Sequence, residues 1–317
     1  PNRSPFLHMI DLATSLRRWG RLGLGLFALV LVTTGCDAFI DQDQSDSAPS
    51  SPTIAGYVQE VPALSALEGA VAEAGLVETL DTGGPFTVFA PLNDSISPAI
   101  DPSLNRQVVG KVVRHHVVNG EVTSDQLSDG QTVSPRAGDD LTIGVGENVT
   151  VNRATVTNPD ANAQNGVVHV VDELLADAVD RATLTPRFTL FARLVKEADL
   201  AGALRGPGAN DGRTIFAPTN EALLSLLDSN NNGSLENSEI LSGADGILRY
   251  HVHDNALTAG DFPAADTTIS SLQGTDLVIN GGDDVTVNPS NEGAGVTIPN
   301  VEVDNGVIHG IDAVLTP

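Results

Sequence analysis

The feature that most constrains the fold of this 317-residue chain is an internal repeat. Four motifs occur twice in the same order, which indicates two copies of one structural unit. The pairs are FTVFAPLNDSI (86–96) with RTIFAPTNEAL (213–223), VVRHHVVNGEVTSDQL (112–127) with ILRYHVHDNALTAGDF (247–262), LTIGVGENVTVN (141–152) with LVINGGDDVTVN (277–288), and NGVVHVVDELL (165–175) with NGVIHGIDAVL (305–315). The first pair begins at 86 and 213 and the second at 112 and 247, so the second copy has eight additional residues between them.

Each copy combines helical and strand patterns. The segment LSALEGAVAEAGLVETL (64–80) has apolar residues at helical spacing, and the β-branched run after it predicts a strand that stops at Pro91. Asn93 and Asn220 follow as suitable helix starts. The third motif has two Val- and Thr-rich runs around a Gly-Glu-Asn turn, which predicts a β-hairpin. The closing motif is an apolar run that predicts a central strand, so the fold class is α+β.

These motifs resemble those of the fasciclin (FAS1) domain family. The family's Thr-Val-Phe-Ala-Pro-Thr-Asn-like motif is met by Thr87 to Asn93 and by Thr214 to Asn220. Its Tyr-His pair is met by Tyr250 and His251, and its closing motif by the end of the chain. The resemblance covers about residues 55–317 in family order. It implies two tandem FAS1 domains, each a β-sheet wedge packed with helices.

The first copy departs from the family pattern at two positions. His115 stands where the family has an aromatic residue, usually Tyr, and Leu92 replaces Thr. We predict that the first FAS1 domain covers residues 57–178 and the second 184–317. The segment AVDRATLTP (178–186) would link the closing motif of one copy to the first helix of the next.

The N-terminal part has the pattern of an export signal. Three arginines within 17–21 precede the apolar run LGLGLFALVLVTTGC (22–36), which is too short to span a membrane as a helix. We therefore predict a signal segment over residues 1–36. The only cysteine, Cys36, ends this run and resembles the lipidated cysteine of bacterial lipoproteins; a free thiol is the alternative. Residues 37–56 would be an acidic flexible tether to a bacterial membrane, facing the periplasm or the cell surface.

The additional residues of the second copy include a calcium-loop pattern. The sequence DSNNNGSLENSE (228–239) fits the EF-hand pattern D-x-[DN]-x-[DN]-G-x5-E. Calcium prefers hard oxygen ligands, and the pattern supplies them around a glycine that permits a sharp turn. The alternative is an Asn-rich surface turn. We predict one weakly bound Ca²⁺, with Kd roughly 10⁻⁴ to 10⁻³ M. Its ligands would be Asp228, Asn230, Asn232, Ser234 through its carbonyl, Glu236 and Glu239.

Charge and the histidines narrow the classes of function. The formal net charge is −25, with 41 acidic against 16 basic residues, which argues against a nucleic-acid partner. Histidines recur at matching places in apolar runs, where hydrogen bonds to backbone atoms are the more frequent role; they are His116, His169, His251 and His309. Because the family's Tyr-His region is connected with receptor binding in animal members, Tyr250 and His251 are candidate partner contacts. Their apolar surroundings favour core packing.

Three functions remain as alternatives. The first is a membrane-anchored adhesion or binding protein with a cell-surface, matrix or polysaccharide ligand. The second is a hydrolase of an extracellular polymer, although the chain has no nucleophile-elbow or phosphate-loop motif. The third is a structural envelope protein. We favour the first, which is not an enzyme, because it uses both the predicted membrane anchor and the repeat.

Overall fold

The structure is a computed structural model that describes residues 51–96, 101, 103–205, 208, 212–236, 239, 244–282, 284–288 and 293–317. The predicted signal segment and Cys36 lie outside these residues. The described residues all belong to one compact unit. Within them, none of the helices combines the length and the apolar character that a membrane crossing requires.

In the described part of the first copy, a seven-stranded sheet packs against helices. The helices are α1 (Ile54–Glu60), α2 (Ser65–Glu73), α3 (Val77–Thr82), α4 (Asn93–Ile96) and α5 (Arg106–His115). The strands are β1 (Phe86–Pro91), β2 (Val117–Asn119), β3 (Thr132–Val133), β4 (Leu141–Val145), β5 (Val149–Val151), β6 (Ala154–Ala163) and β7 (Gly166–Val171). Their order in the sheet is β2-β1-β7-β6-β5-β4-β3.

The second copy repeats this arrangement. Its helices are α6 (Ala178–Leu184), α7 (Thr189–Glu197), α8 (Ala201–Arg205), α9 (Asn220–Leu227) and α10 (Ala244–Tyr250). Its strands are β8 (Arg213–Pro218), β9 (Val252–His253), β10 (Thr267–Ser270), β11 (Asp276–Asn280), β12 (Thr286–Val287), β13 (Ala294–Val303) and β14 (Gly306–Ile311). The sheet order β9-β8-β14-β13-β12-β11-β10 matches the first copy strand for strand. The α+β prediction is therefore confirmed.

The centre of each sheet is a parallel pair of strands from the first and last repeated motifs. Strand β1 pairs with β7 from Phe86 opposite Gly166 to Pro91 opposite Val171, and β8 pairs with β14 in the same way. All residues of β7 and β14 are buried, as central parallel strands usually are. This confirms the central strand predicted from the closing motif. Gly166 has a φ of 146°, and a Cβ there would overlap the Phe86 carbonyl oxygen, so the pairing requires glycine.

Local structure agrees with the prediction of a hairpin. It differs from the predictions at the helix expected over 64–80 and at the end of the tether. Strands β4 and β5 form the predicted antiparallel hairpin. The single helix predicted over 64–80 is divided into α2 and α3, because Gly75 adopts a left-handed φ of 68° that ends α2. The tether predicted to reach residue 56 ends earlier. Thr53 caps the N-terminus of α1 and Ile54 is fully buried.

The asparagine after each Pro joins the end of a central strand to a neighbouring helix. Helices α4 and α9 begin at Asn93 and Asn220, as predicted. The Asn93 side chain accepts a hydrogen bond from the Ala66 N–H at 2.9 Å and donates one to the Pro62 carbonyl at 2.8 Å. Asn220 makes the corresponding bonds at the start of α7. These side chains therefore fix where α2 and α7 begin.

The segment 178–186 that joins the copies is not an extended link. It forms α6, whose residues are all buried. Ala178, its first residue, donates its N–H to the Asn305 side chain at 3.1 Å, as Ile54 at the start of α1 does to Asn165 at 2.8 Å. Helix α6 therefore has the place in the second copy that α1 has in the first. Helix α6 is therefore an additional first helix, which begins before the predicted start of the second domain at residue 184.

Ion pairs connect α6 and its N-cap to both copies. Lys111 on α5 lies 3.0 Å from Asp177 and 2.5 Å from Asp180. From the second copy, Arg205 on α8 lies 2.8 Å from Asp177 and 3.1 Å from Asp180. The two carboxylates are largely buried, and each has a cation on either side, so the charges compensate one another away from water.

We expect Lys111→Met to lower the free energy of unfolding by about 2 kcal/mol, as measured by urea unfolding. That value lies between the losses typical of exposed and of fully buried pairs, because the Lys111 side chain is 34% exposed. The control is Arg106→Met on the same helix, which removes an ion pair to Glu73 whose arginine is 74% exposed. We expect the control to lose at most about 0.5 kcal/mol. Equal losses would contradict a special role for the buried network.

Candidate functional site

The predicted calcium loop follows α9 and folds around its first aspartate. The Asp228 carboxylate accepts hydrogen bonds from the N–H groups of Asn232 at 3.1 Å and Gly233 at 2.7 Å. Gly233 has a φ of 74°, which provides the sharp turn that the sixth position of such a loop needs. Leu235, at the eighth position, is 2% exposed and attaches the loop to the core of the second copy.

The glutamates of the loop are held by hydrogen bonds within it. Glu239 accepts bonds from the Glu236 N–H at 3.0 Å and the Ser229 N–H at 2.9 Å. These hydrogen bonds hold the pKa of the Glu239 carboxyl below its usual range, and the bond from the Glu236 N–H has the largest effect. Glu236 accepts a bond from the Asn232 amide at 2.9 Å. The glutamate carboxylates are therefore kept near the loop backbone.

The six predicted ligands all belong to one loop. Across the described part of the chain, no three His, Cys, Asp or Glu side chains are grouped closely enough to hold a metal ion. Groups of this kind do not include amide side chains or backbone carbonyls, and three of the six predicted ligands are of those types. The donor set suits a hard cation, and the carboxylates would have to converge for binding. The predicted set is Asp228, Asn230, Asn232, Ser234, Glu236 and Glu239.

The recurring histidines hydrogen bond to the backbone, as the sequence predicts. His116 is hydrogen bonded through Nδ1 to a carbonyl of its own helix at 2.8 Å and accepts the Leu175 N–H at Nε2, 3.0 Å away. His251 repeats this pattern in the second copy. Burial lowers the pKa of both to about 4, so each is neutral at pH 7. The histidines of the closing motifs, His169 and His309, also bond to backbone atoms.

Tyr250 and His251 are part of the core and do not form a surface. They are 3% and 0% exposed. The Tyr250 hydroxyl donates to the Asp276 carbonyl at 3.1 Å and accepts from the Asn288 amide at 2.8 Å. A partner could reach these side chains only if the domain opened. The structure therefore supports core packing for the pair and not partner contact.

His115, which replaces the family's aromatic residue in the first copy, contacts the second copy. Its side chain is 8% exposed, and Nε2 lies 2.9 Å from a carboxylate oxygen of Asp304. Its other ring nitrogen, Nδ1, lies 2.8 Å from the Ala137 carbonyl oxygen. The Asn152 amide donates to the second oxygen of Asp304 at 2.9 Å. No sequence motif includes Asp304, and the only signal for this contact in the sequence is the unusual residue at 115.

A polar cleft of about 1000 Å³ lies between the copies beside this contact. Both copies contribute ionised groups to its lining, among them Lys111 and the pair Arg153–Glu302, whose atoms are 2.7 Å apart. Burial raises the pKa of Glu173, which also lines the cleft. A serine hydroxyl that is hydrogen bonded to a histidine would support the hydrolase alternative. No such pair occurs among the residues that the structure describes. The cleft therefore offers acidic and basic side chains to a polar partner.

The chain is similar in sequence to known proteins. The chain is 38% identical over 163 residues to Protein sll1483 of Synechocystis sp., covering 49% of this chain and 88% of that protein. It is 29% identical over 300 residues to Transforming growth factor-beta-induced protein ig-h3 of Sus scrofa, covering 91% of this chain. The chain spans only 41% of the length of that relative.

A solved structure and a family model also match. The structure is a FAS1 domain pair from the insect cell adhesion molecule Fasciclin I, with a TM-score of 0.39 and 18% identity, covering 80% of this chain and 97% of that chain. The model of the Fasciclin domain matches residues 62–177 and again residues 186–317, which together are more than half of the chain. The chain therefore belongs to the fasciclin domain family and contains two copies of its domain.

Proposed function

We propose that this chain is an extracytoplasmic adhesion or binding protein, anchored to a membrane through Cys36 and stabilised by calcium in its second domain. Membership of the fasciclin family supports the binding function, because adhesion and binding proteins are typical of that family. The observation that carries the proposal is the joining of the two domains by a buried ion-pair network. Such a connection would present both domains to a ligand in one arrangement.

The ligand class that we propose is a cell-surface, matrix or polysaccharide component. With a net charge of −25, the chain repels other polyanions, which favours neutral or cationic surfaces. Aromatic residues make up only 4% of the chain, so polar contacts would dominate recognition.

We expect the labelled full chain, applied in solution, to bind saturably to at least one neutral or cationic polymer on a glycan and matrix array. The control is the same chain applied together with an excess of the soluble polymer. The soluble polymer should compete for that binding. The array should be run with and without calcium, so that a calcium requirement is recognised. Self-association without any polymer or cell binding would contradict adhesion and favour the structural envelope alternative.

The proposed anchor is the cysteine at the end of the apolar signal segment. A thiol at that place has no second cysteine with which to form a disulfide within the chain. A lipid chain on Cys36, followed by the acidic tether, would hold the domains at a distance from the membrane.

We expect Cys36→Ser to move the protein from the detergent phase to the aqueous phase when it is expressed in a bacterium and partitioned. The expected result follows because the lipid that would be attached to the cysteine supplies the membrane affinity. The matched control is Ser47→Ala in the tether, which leaves the cysteine in place. A Cys36→Ser protein that partitions like the control would contradict lipidation.

The calcium proposal rests on the loop from Asp228 to Glu239. Asp228 already organises the turn through the N–H groups of Asn232 and Gly233, and Leu235 holds the loop to the core. Calcium would draw the carboxylates of the loop together and reduce their mutual repulsion. Ligand bound only to the folded state stabilises it by RT ln(1 + [L]/Kd), about 1.4 kcal/mol at ten times Kd.

We expect calcium at such a concentration to raise the melting temperature by about 3–6 °C, measured by scanning calorimetry against a chelated sample. Glu239→Gln should abolish the rise, because the twelfth position supplies up to two ligand oxygens. The matched control is Glu221→Gln on α9, an exposed glutamate outside the loop that removes the same charge. A rise that persists in Glu239→Gln would indicate general screening of the acidic surface and not a site.

A further inference from the structure

The contact between His115 and Asp304 joins three separate parts of the fold. His115 is the last residue of α5 in the first domain, and Asp304 lies in the turn between β13 and β14 of the second. Ala137 belongs to the segment between β3 and β4. The backbone of Gly138 passes close to the ring, since a Cβ added at Gly138 would lie only 2.3 Å from Nδ1. His115 therefore has little room to turn away from its two partners.

Both ring nitrogens of His115 face oxygen atoms that can only accept hydrogen bonds. Nδ1 is 2.8 Å from the Ala137 carbonyl and Nε2 is 2.9 Å from the Asp304 carboxylate. A neutral imidazole has one N–H, so one lone pair would be directed at an oxygen atom in either tautomer. The imidazolium donates from both nitrogens and satisfies both contacts. The geometry therefore selects the protonated ring.

The second domain shows the uncharged version of the same site. There Tyr250 takes the place of His115, and Asn288 takes the place of Asn152. The Asn288 amide donates to the Tyr250 hydroxyl within the domain, whereas the Asn152 amide donates to Asp304 in the other domain. The exchange of Tyr for His thus turns a contact within one domain into a contact between domains.

We propose that His115 is a proton-dependent clamp, which holds the two fasciclin domains in one arrangement when protonated and loosens their interface when the solution becomes alkaline. The clamp is separate from the calcium loop. The clamp does not depend on which ligand the protein binds, and its two side chains are part of the lining of the polar cleft.

Charged groups from several neighbouring elements line the cleft beside this clamp. Burial lowers the pKa of His115, but the hydrogen bond and the charge of Asp304, followed by the Ala137 carbonyl, raise it above 6.5 overall. Lys111 on the same helix opposes that rise. The remaining charged groups of the cleft are the Arg153–Glu302 pair, Asp139 and Asp140 before β4, Asp172 and Glu173 after β7, Asp177 and Asp180 at the start of α6, and Arg205 on α8.

The direction of the pH effect follows from this raised pKa. A group whose pKa is higher in the folded state than in the unfolded state adds stability that is fully present below the unfolded value. For His115 that unfolded value is about 6.5, and the contribution disappears as the pH rises through the folded pKa. The buried neighbour His116 is neutral throughout this range, since its pKa is about 4. Its titration cannot produce the same effect.

The test combines a titration with a distance measurement on the full chain. The His115 ring should titrate by NMR above 6.5 in the wild type and lower in Asp304→Asn. Nitroxide labels at Glu121→Cys and Gln273→Cys report the separation of the domains by double electron–electron resonance. Cys36→Ser is added so that the labels attach only at these two positions. We expect a narrow distance distribution at pH 5.5 and a broader one at pH 9. In Asp304→Asn it should be broad at both.

Two variants separate the clamp from a merely structural role. His115→Tyr restores the residue type of the second domain and should give a distance distribution that does not change with pH. His253→Gln removes a histidine outside the interface and should keep the pH dependence of the wild type. A His115 pKa at or below 6.5 would overturn the proposal, whether or not the variants fold. So would a wild-type distance distribution that is the same at both pH values.

Discussion

The structure depends on the parallel pairing of two strands that lie far apart in the sequence. Strands β1 and β7, and β8 and β14 in the second copy, form the buried centre of each sheet. The other strands extend each sheet on either side of this pair, and helices pack against the sheet. Gly166 and Gly306 permit the close approach at its start, where a Cβ would lie on a backbone oxygen of the partner strand. Because both strands are covered on both faces, their apolar runs are continuous and their motifs are the easiest to recognise.

In each copy, an asparagine in the turn before the last strand connects the sheet to neighbouring helices. Asn165 binds the first N–H of α1 and carbonyls near α3, and Asn305 binds the start of α6 and a carbonyl of α8. In the second domain this bond has an additional effect, because α6 follows directly from the end of the first domain. Asp304 next to it donates its N–H to the Ala176 carbonyl. One asparagine turn therefore both closes the second domain and binds the first domain to it.

The sequence was sufficient for the repeated elements and insufficient for contacts between copies. The central strands, the hairpin and the α+β class follow from periodicity and turn residues, which are local properties. The division of 64–80 at Gly75 was missed because a glycine within a helical pattern is compatible with either outcome. The place of α6 depends on Asn305, more than a hundred residues further along the chain. Asp304 is 189 positions from His115, and no local pattern connects them.

Differences between the two copies nevertheless contain information about the interface. Within one repeat family, equivalent positions have the same local role, so a change of chemistry at one of them reflects a different neighbour. At the start of the first helix, Thr53 donates a hydrogen bond to Asp81, whereas the second copy has an ion pair between Asp177 and Arg205 that also reaches Lys111. The exchange of Tyr for His at 115 is of the same kind. In both cases, the charged version occurs where the copies meet, because a buried charge is stable only where a partner supplies the opposite charge.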